Sequence, residues 1–423
     1  MHNRRNTLWF LMIALLLPGL FTGRAIFFSL ALVFFSIMLL SAIWAWLAVR
    51  GLRIGRQTRS RRSQVGHNFA ESFIVRNVGI LPKLWLEIRD HSDLPGHRAS
   101  HIVPTLNVRS NYQWRVETPC VSRGSFQLGP MTIISGDPFG LFLTPRRINA
   151  TQRMIVYPAI IPLKTFHLPT NLLSGGEPQR YQTQNITTNA AGVREYVPGD
   201  SINRIHWKST ARRGKLFVKE FELDPFVDVW LFADFSLQSL YEDPALQRIG
   251  STGHVIRNPG QTNVNGLPLS TEEYVAVIAA SLANYFVDEE TALGFITYTP
   301  QRNLYTPERG HRQQTRILET LAVARSLSSQ SLHETLTMES QNLVRGATLI
   351  LITSSLEIGW ISELQLLGRR GLRPMCIFID PTSFGMAGTS DEVRGRLNLA
   401  KIPTITVRAQ DNLAAVLTER AVY

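Results

Sequence analysis

The N-terminus holds two charge-free apolar runs with three residues between them, and no water-soluble core readily buries such a pair. Leu8–Phe21 reads LWFLMIALLLPGLF, and Ala25–Val49 reads AIFFSLALVFFSIMLLSAIWAWLAV. A helix rises about 1.5 Å per residue, so the second run exceeds the roughly 30 Å needed to cross a bilayer core. The first is shorter and carries Pro18 and Gly19, but it spans residues 7–23 if Thr7 and Gly23 are included. Thr22-Gly23-Arg24 leaves room only for a tight turn. The expected structure is a two-helix membrane hairpin, with spans at about 7–23 and 25–49. HNRR followed by an apolar core also fits a signal peptide. No small-x-small cleavage site follows, and a second span begins at once.

Charge orients the hairpin. Arg4 and Arg5 precede the first run, and Arg50, Arg53, Arg56, Arg59, Arg61 and Arg62 follow the second. By the positive-inside rule both ends face the cytoplasm, with Trp44 and Trp46 near the inner interface. The expectation is a protein of the inner (plasma) membrane with both termini and both globular domains cytoplasmic. The formal charge of +12 resides almost wholly in this segment, since the first acid is Glu71. A nucleic-acid-binding domain would carry its basic face on the globular part, so the charge split points to membrane lipid and away from nucleic acid. Residues 51–65 read as a basic juxtamembrane linker.

Residues 66–160 change character. FAESFIVRNVG, LPKLWLEIRD, YQWRVETPCV, FQLGPMTII and RMIVYPAI alternate apolar and polar residues between turn formers. Short strands at such spacing imply a small antiparallel sandwich, read here as Ig-like. Residues 161–225 read as a linker carrying a motif. From 226 to 423, buried-strand runs such as VDVWLFADF, ALGFITYT, ATLILIT and PMCIFID alternate with amphipathic helices. That order implies an α/β domain with a parallel sheet and helices on both faces. Cys120 and Cys376 lie in apolar surroundings and read as buried reduced thiols, which excludes a disulfide framework or Cys-rich zinc module.

Asp234-Phe235-Ser236 ends the first strand of that domain, where ligands of open α/β sheets bind. It resembles the metal loop of von Willebrand factor A domains, Asp-x-Ser-x-Ser, but Gln238 stands at the fifth position. The strand that should supply a distant Asp ends Thr353-Ser354-Ser355. A hard cation wants several anionic oxygens. The site at Asp234 and Ser236 therefore reads as degenerate, and neither metal nor other cofactor is expected.

The densest cluster is GVREYVPGDSINRIHWKSTARRGKLFVKEFE, residues 192–222. Arg194, Glu195, Asp200, His206, Trp207, Lys208, Arg212 and Arg213 are its candidate functional residues. INRIHWKSTARRG reads as one short helix stopped by Gly214, with His206 and Trp207 in mid-helix. Three readings arise. Arg194 and Asp200 pair while Trp207 fills an interdomain gap; or Arg204, Lys208, Arg212 and Arg213 bind an anion or a partner; or His206, oriented by Asp200, acts as acid or base. The string Arg194-Glu195-Tyr196, Pro198-Gly199-Asp200, Ile205-His206-Trp207-Lys208, Ala211-Arg212-Arg213-Gly214 resembles the signature of the bacterial domain of unknown function family 58. Arg123–Pro130 and Asp137-Pro138-Phe139-Gly140-Leu141-Phe142 resemble the segments that precede it. The resemblance implies a von Willebrand A-like domain and a role beside MoxR-type AAA+ ATPases. The expected function is a membrane-anchored, non-enzymatic adaptor in assembly or remodelling of protein complexes, in contact with that ATPase, membrane lipid and other membrane proteins. A hydrolase or transferase using Asp200 and His206, or a scaffold for envelope maintenance, are the alternatives.

Overall fold

A computed structural model describes residues 2–168, 190–197, 205–221, 228–242, 248–249, 255–256, 266–419 and 421. The chain divides into two compact units, one of residues 1–159 with 244–261 and 318–323, the other of the remainder.

The first unit opens with α1 (His2–Thr22) and α2 (Ala25–Ala48). Both are long and apolar enough to cross a membrane. They pack on each other as a hairpin, turning at Gly23 with a positive φ of 65°. Ten strands follow: β1 (Leu52–Thr58), β2 (Arg62–Gln64), β3 (Asn68–Asn77), β4 (Leu86–Asp90), β5 (His101–Val103), β6 (Asn111–Pro119), β7 (Gly124–Leu128), β8 (Met131–Gly136), β9 (Leu143–Ile148) and β10 (Gln152–Tyr157). They form three sheets ordered β1-β3-β6, β2-β10-β7 and β5-β4-β8-β9. All pairings are antiparallel except β2 with β10. FQLGPMTII, read as one strand, is two, because the chain turns at Gly129 with φ 81° between β7 and β8.

The stretch 51–65 is not a linker. Only Val49, Arg50 and Gly51 separate α2 from β1, and β1 pairs with β3 along its full length. Leu52 and Ile54 turn inward against Val75, Leu86 and Trp114. Arg56 occupies the next inward slot, and a periodicity argument counts it as exposed. The partners that permit its burial lie far off in sequence. Its Nη2 donates to Asp90 Oδ1 at 2.5 Å, and its Nε lies 3.6 Å from Glu71 Oε1. His97 Nε2 lies 3.2 Å from Glu71 and 3.3 Å from Asp90. All four side chains are at most 7% exposed. Buried charges persist only when paired in this way.

In the second unit, β11 (Ala190–Glu195), α3 (Trp207–Arg213) and β12 (Phe217–Phe221) precede the α/β region. Along the chain that region holds β13 (Val229–Ala233), α4 (Thr271–Asp288), β16 (Leu293–Thr299), β17 (Gln301–Glu308), α5 (His311–Val323), α6 (Leu332–Glu339), β18 (Thr348–Thr353), α7 (Gly359–Arg369), β19 (Arg373–Ile379), α8 (Asp391–Leu399), β20 (Thr404–Val407) and α9 (Leu413–Val416), while β14 (Arg248–Ile249), β15 (Val255–Ile256) and residues 318–323 of α5 belong to the first unit. β14 and β15 pair with each other, antiparallel. Six strands make a mixed sheet ordered β17-β16-β13-β18-β19-β20, parallel except for the antiparallel edge strand β17. The four central strands are the continuous apolar runs of the sequence, as expected for strands covered on both faces. Trp230, Phe232, Leu349, Leu351, Cys376 and Phe378 share one core with α6, α7 and α8. α4 packs on the same central strands and contributes no residue to that core. Both cysteines are free and buried.

Candidate functional site

The signature segment folds as a strand–helix–strand unit. β11 and β12 pair with Arg194 opposite Val218 and Glu195 opposite Phe217. Beyond β11, Tyr196 N donates to Leu216 O at 2.9 Å, which continues the pairing by one residue. Ile205 bridges to Val218, and His206 N donates to Phe217 O at 2.8 Å. The helix is shorter than INRIHWKSTARRG suggests, beginning at Trp207. His206 is its N-cap: Nδ1 accepts from Ser209 N at 3.2 Å and lies 2.7 Å from Ser209 Oγ. Nδ1 thus satisfies an otherwise orphaned helix donor. Gly214 ends the helix with φ 69°, a conformation that costs glycine least.

These bonds leave one side of the unit open. Ile205, Phe217 and Val218 are buried and hold it. Trp207, expected to be at least partly buried, is 65% exposed, because helix 207–213 turns it outward from the buried Ile205 and Phe217. Val197 and Leu216 are also exposed. Lys208, Arg212 and Arg213 lie on the surface. The Arg213 guanidinium stacks 5.1 Å from the Phe217 ring centroid. Lys208 and Arg212 form no ion pair among the described residues. Lys215 pairs with Glu195 at 3.3 Å, both exposed. Asp200 and Arg204 lie outside the described residues, as does the Arg194 side chain, so their pairing is not part of this geometry.

The Asp234 site is built quite differently. Asp234 is 4% exposed at the carboxyl end of β13. Its Oδ2 accepts from Thr353 Oγ1 at 2.6 Å and its Oδ1 from Ser236 N at 2.9 Å. Burial pushes its carboxyl pKa up, and the hydrogen bonds from Thr353, Ser236 and Ser239 only partly oppose that. Three other nearby hydroxyls serve backbone carbonyls instead. Ser239 Oγ donates to Ser236 O, while Thr271 Oγ1 and Ser354 Oγ both donate to Ser239 O. Gln238, standing where a ligating Ser would be, turns its amide nitrogen to Glu357 at 2.8 Å in the orientation that satisfies both groups. Among the described residues no group of three His, Cys, Asp or Glu side chains converges as a metal site. A single carboxylate whose neighbours are tied to carbonyls suits a structural knot better than a divalent cation. Sequence reading missed the neighbouring pair Glu272–Arg325, where a 6% exposed carboxylate at the start of α4 accepts from Arg325 at 3.0 Å and from Ser326 N at 2.7 Å.

Comparison with known proteins bears on the signature segment. Residues 192–248 match the family model described as protein of unknown function DUF58. The chain is 21% identical over 319 residues to the uncharacterized protein YeaD of Bacillus subtilis (strain 168), covering 72% of this chain and 71% of that protein. Among solved structures, it is similar to the conserved hypothetical protein BatB of Bacteroides thetaiotaomicron, at 15% identity and TM-score 0.29, covering 45% of this chain and 93% of BatB. It is also similar to the CARDB domain of the PF1109 protein of Pyrococcus furiosus, at 12% identity and TM-score 0.20, covering 25% of this chain and 91% of that domain. Both structural likenesses are too loose to assign a fold or a ligand.

Proposed function

We propose that the chain is a membrane-anchored adaptor whose partner-binding surface is the open side of the α3 unit. The observation that carries this reading is the exposure of Trp207 beside Lys208 and Arg212, on a helix held from below by Ile205, Phe217 and Val218. Trp and Arg are the residues that most often anchor interfaces. The partner class proposed is a MoxR-type AAA+ ATPase presenting an acidic surface, as the family resemblance implies. In the same reading the sandwich is Ig-like and the α/β region von Willebrand A-like, with Asp234 a vestige of the metal loop. In this reading both domains lie on the cytoplasmic side of the inner membrane, which the Arg distribution supports. The enzymatic alternative fits less well, because Nδ1 of His206 is engaged as a helix cap.

The test is capture of membrane partners by full-length chain in detergent. Trp207→Ala and Lys208→Glu are expected to lose an ATPase that the wild type retains, and the effect of Lys208→Glu should be largest at low salt and shrink as surface charge is screened. Retention of the ATPase by both variants would refute the assignment of this surface. Reporter fusions at Gly23 and Tyr423 test the orientation, since an external signal from the C-terminal fusion contradicts it.

A further inference from the structure

We infer that the sandwich does not merely follow the membrane helix but inserts two apolar loops into the lipid interface beside it. The inference rests on reading α2 as a membrane span.

The first observation is rigidity. The sandwich is fastened to the end of α2 by backbone and by charge. Val78 N donates to Gly51 O at 2.7 Å. Lys83, only 2% exposed, donates from Nζ to Leu47 O at 2.8 Å, and Arg146 Nη1 donates to Val49 O at 3.1 Å. Cations placed on the last carbonyls of a helix also complement its dipole. Gly51, with φ 67°, packs so closely on Gly79 that an added Cβ would lie 2.7 Å from the Gly79 Cα. The last turns of α2 pack against β8 and β9, and Ala45, Ala48 and Val49 are buried. The 24 residues of α2 exceed the roughly 20 that cross a hydrocarbon core. The sandwich therefore grips the helix at the depth of the membrane interface.

The second observation is what surrounds that grip. The loop after β3 exposes Val78 at 44%, Ile80 at 87% and Leu84 at 39%. It is ordered: buried Asn77 donates to Leu81 O and accepts from Gly79 N. Trp85, next along, accepts at its carbonyl from Ser135 and lies against Gly136 at the end of β8. The turn Asp137–Gly140 projects from that end and exposes Phe139 at 61%, with Leu143 at 41% following. Its shape is imposed by the buried Asp137 carboxylate, which accepts from the amides of Phe139, Leu141 and Phe142. Two rigid loops thus present Ile80 and Phe139 around the end of a spanning helix. Arg50, Arg53, Arg76 and Arg147 are exposed nearby, and segments 47–56, 76–85 and 136–147 contain no acid besides the buried Asp137. Apolar tips ringed by arginine suit an anionic lipid surface.

The test uses the full chain in nanodiscs containing phosphatidylglycerol, with no other protein present. Both native cysteines are buried, so Ile80→Cys and Phe139→Cys can be labelled selectively with an environment-sensitive fluorophore. Glu117→Cys, at an exposed position of β6, is the aqueous control, and Leu32→Cys within α2 is the bilayer control. Insertion by about 5–10 Å places a side chain at the headgroup–acyl boundary. A spin-labelled lipid bearing its label near the top of the acyl chain should therefore quench the 80 and 139 probes at least about twofold more than the 117 probe. Aqueous iodide should show the reverse order. Quenching of the 80 and 139 probes no stronger than at 117, with the Leu32 probe quenched by deep-labelled lipid, overturns the insertion while leaving the membrane span intact. A Leu32 probe that lipid does not quench overturns the span and the insertion together.

Discussion

Removing the charge of Arg56 should unlock the β-sheets of the first unit. Arg56→Met keeps most of the volume of the side chain but leaves Glu71 and Asp90, 0% and 2% exposed, with His97 alone for company. Breaking a buried ion pair from one side typically costs about 3–5 kcal/mol. At 1.36 kcal/mol per factor of ten, that is roughly 160- to 5,000-fold in local opening. Hydrogen exchange of the β3 and β6 amides in the full chain reads this locally, so the second unit does not confuse the measurement. The triple variant Arg56→Met, Glu71→Gln, Asp90→Asn should recover much of the protection, since no uncompensated charge remains. Acceleration of less than about tenfold in Arg56→Met would show that water already solvates the cluster, and the reasoning would fail.

The same cluster sets a pH window. Burial pulls the His97 imidazole down, but hydrogen bonds and charge from Asp90 and Glu71 outweigh it and raise its pKa above the ordinary value. That contribution to stability is complete below the unfolded value of about 6.5 and is lost as pH rises through the folded pKa. Burial pushes the Asp90 carboxyl up, but His97, Ser92 and the Arg56 charge outweigh it and hold the pKa below the usual range. Its contribution is complete above about 3.9 and is lost as pH falls through the folded pKa. β3 and β6 should therefore be best protected between about pH 4 and 6.5, after correction for intrinsic exchange. His97→Gln should abolish the alkaline decline, and an unchanged decline in that variant would exclude His97 as its cause.

Substitutions at three further sites test other parts of the structure. Gly51→Ala forces a Cβ onto the Gly79 backbone at a positive φ and should lower sandwich stability by about 1–3 kcal/mol in denaturant titration. Asp234→Asn keeps an acceptor for Ser236 N and should cost under about 1 kcal/mol, whereas Asp234→Ala orphans buried donors at about 1–3 kcal/mol. Because burial raises the Asp234 pKa, its contribution to stability falls as pH rises from about 3.9 through the folded value, a slope that Asp234→Asn should remove. Trp207→Ala, at a 65% exposed site, should shift stability by no more than about 0.5 kcal/mol, and a larger calorimetric loss would mark Trp207 as structural.

Much of this architecture is legible in the sequence because it depends on local period. The two apolar helices, the strands β3, β6 and β10, and the alternation of β13, α4, β16, β18, α7 and β19 follow from runs whose spacing specifies one element. The α3 motif announces itself by composition, and Gly214 marks the helix end because glycine best tolerates the left-handed turn it adopts. Tertiary structure decided the rest, for reasons that lie between distant residues. Arg56 belongs in a strand only because Glu71, Asp90 and His97 converge on it. His206 caps a helix rather than sitting within it, because β12 takes its backbone amide. Trp207 faces outward, because burial of Ile205 and Phe217 fixes the roll of a seven-residue helix. Lys83, which a sequence reading places within the strand-like run LPKLWLEIRD, is drawn inward because the last carbonyls of α2 end beside it. Each outcome turns on where a charge or an orphaned donor finds its partner, and local periodicity carries no record of that.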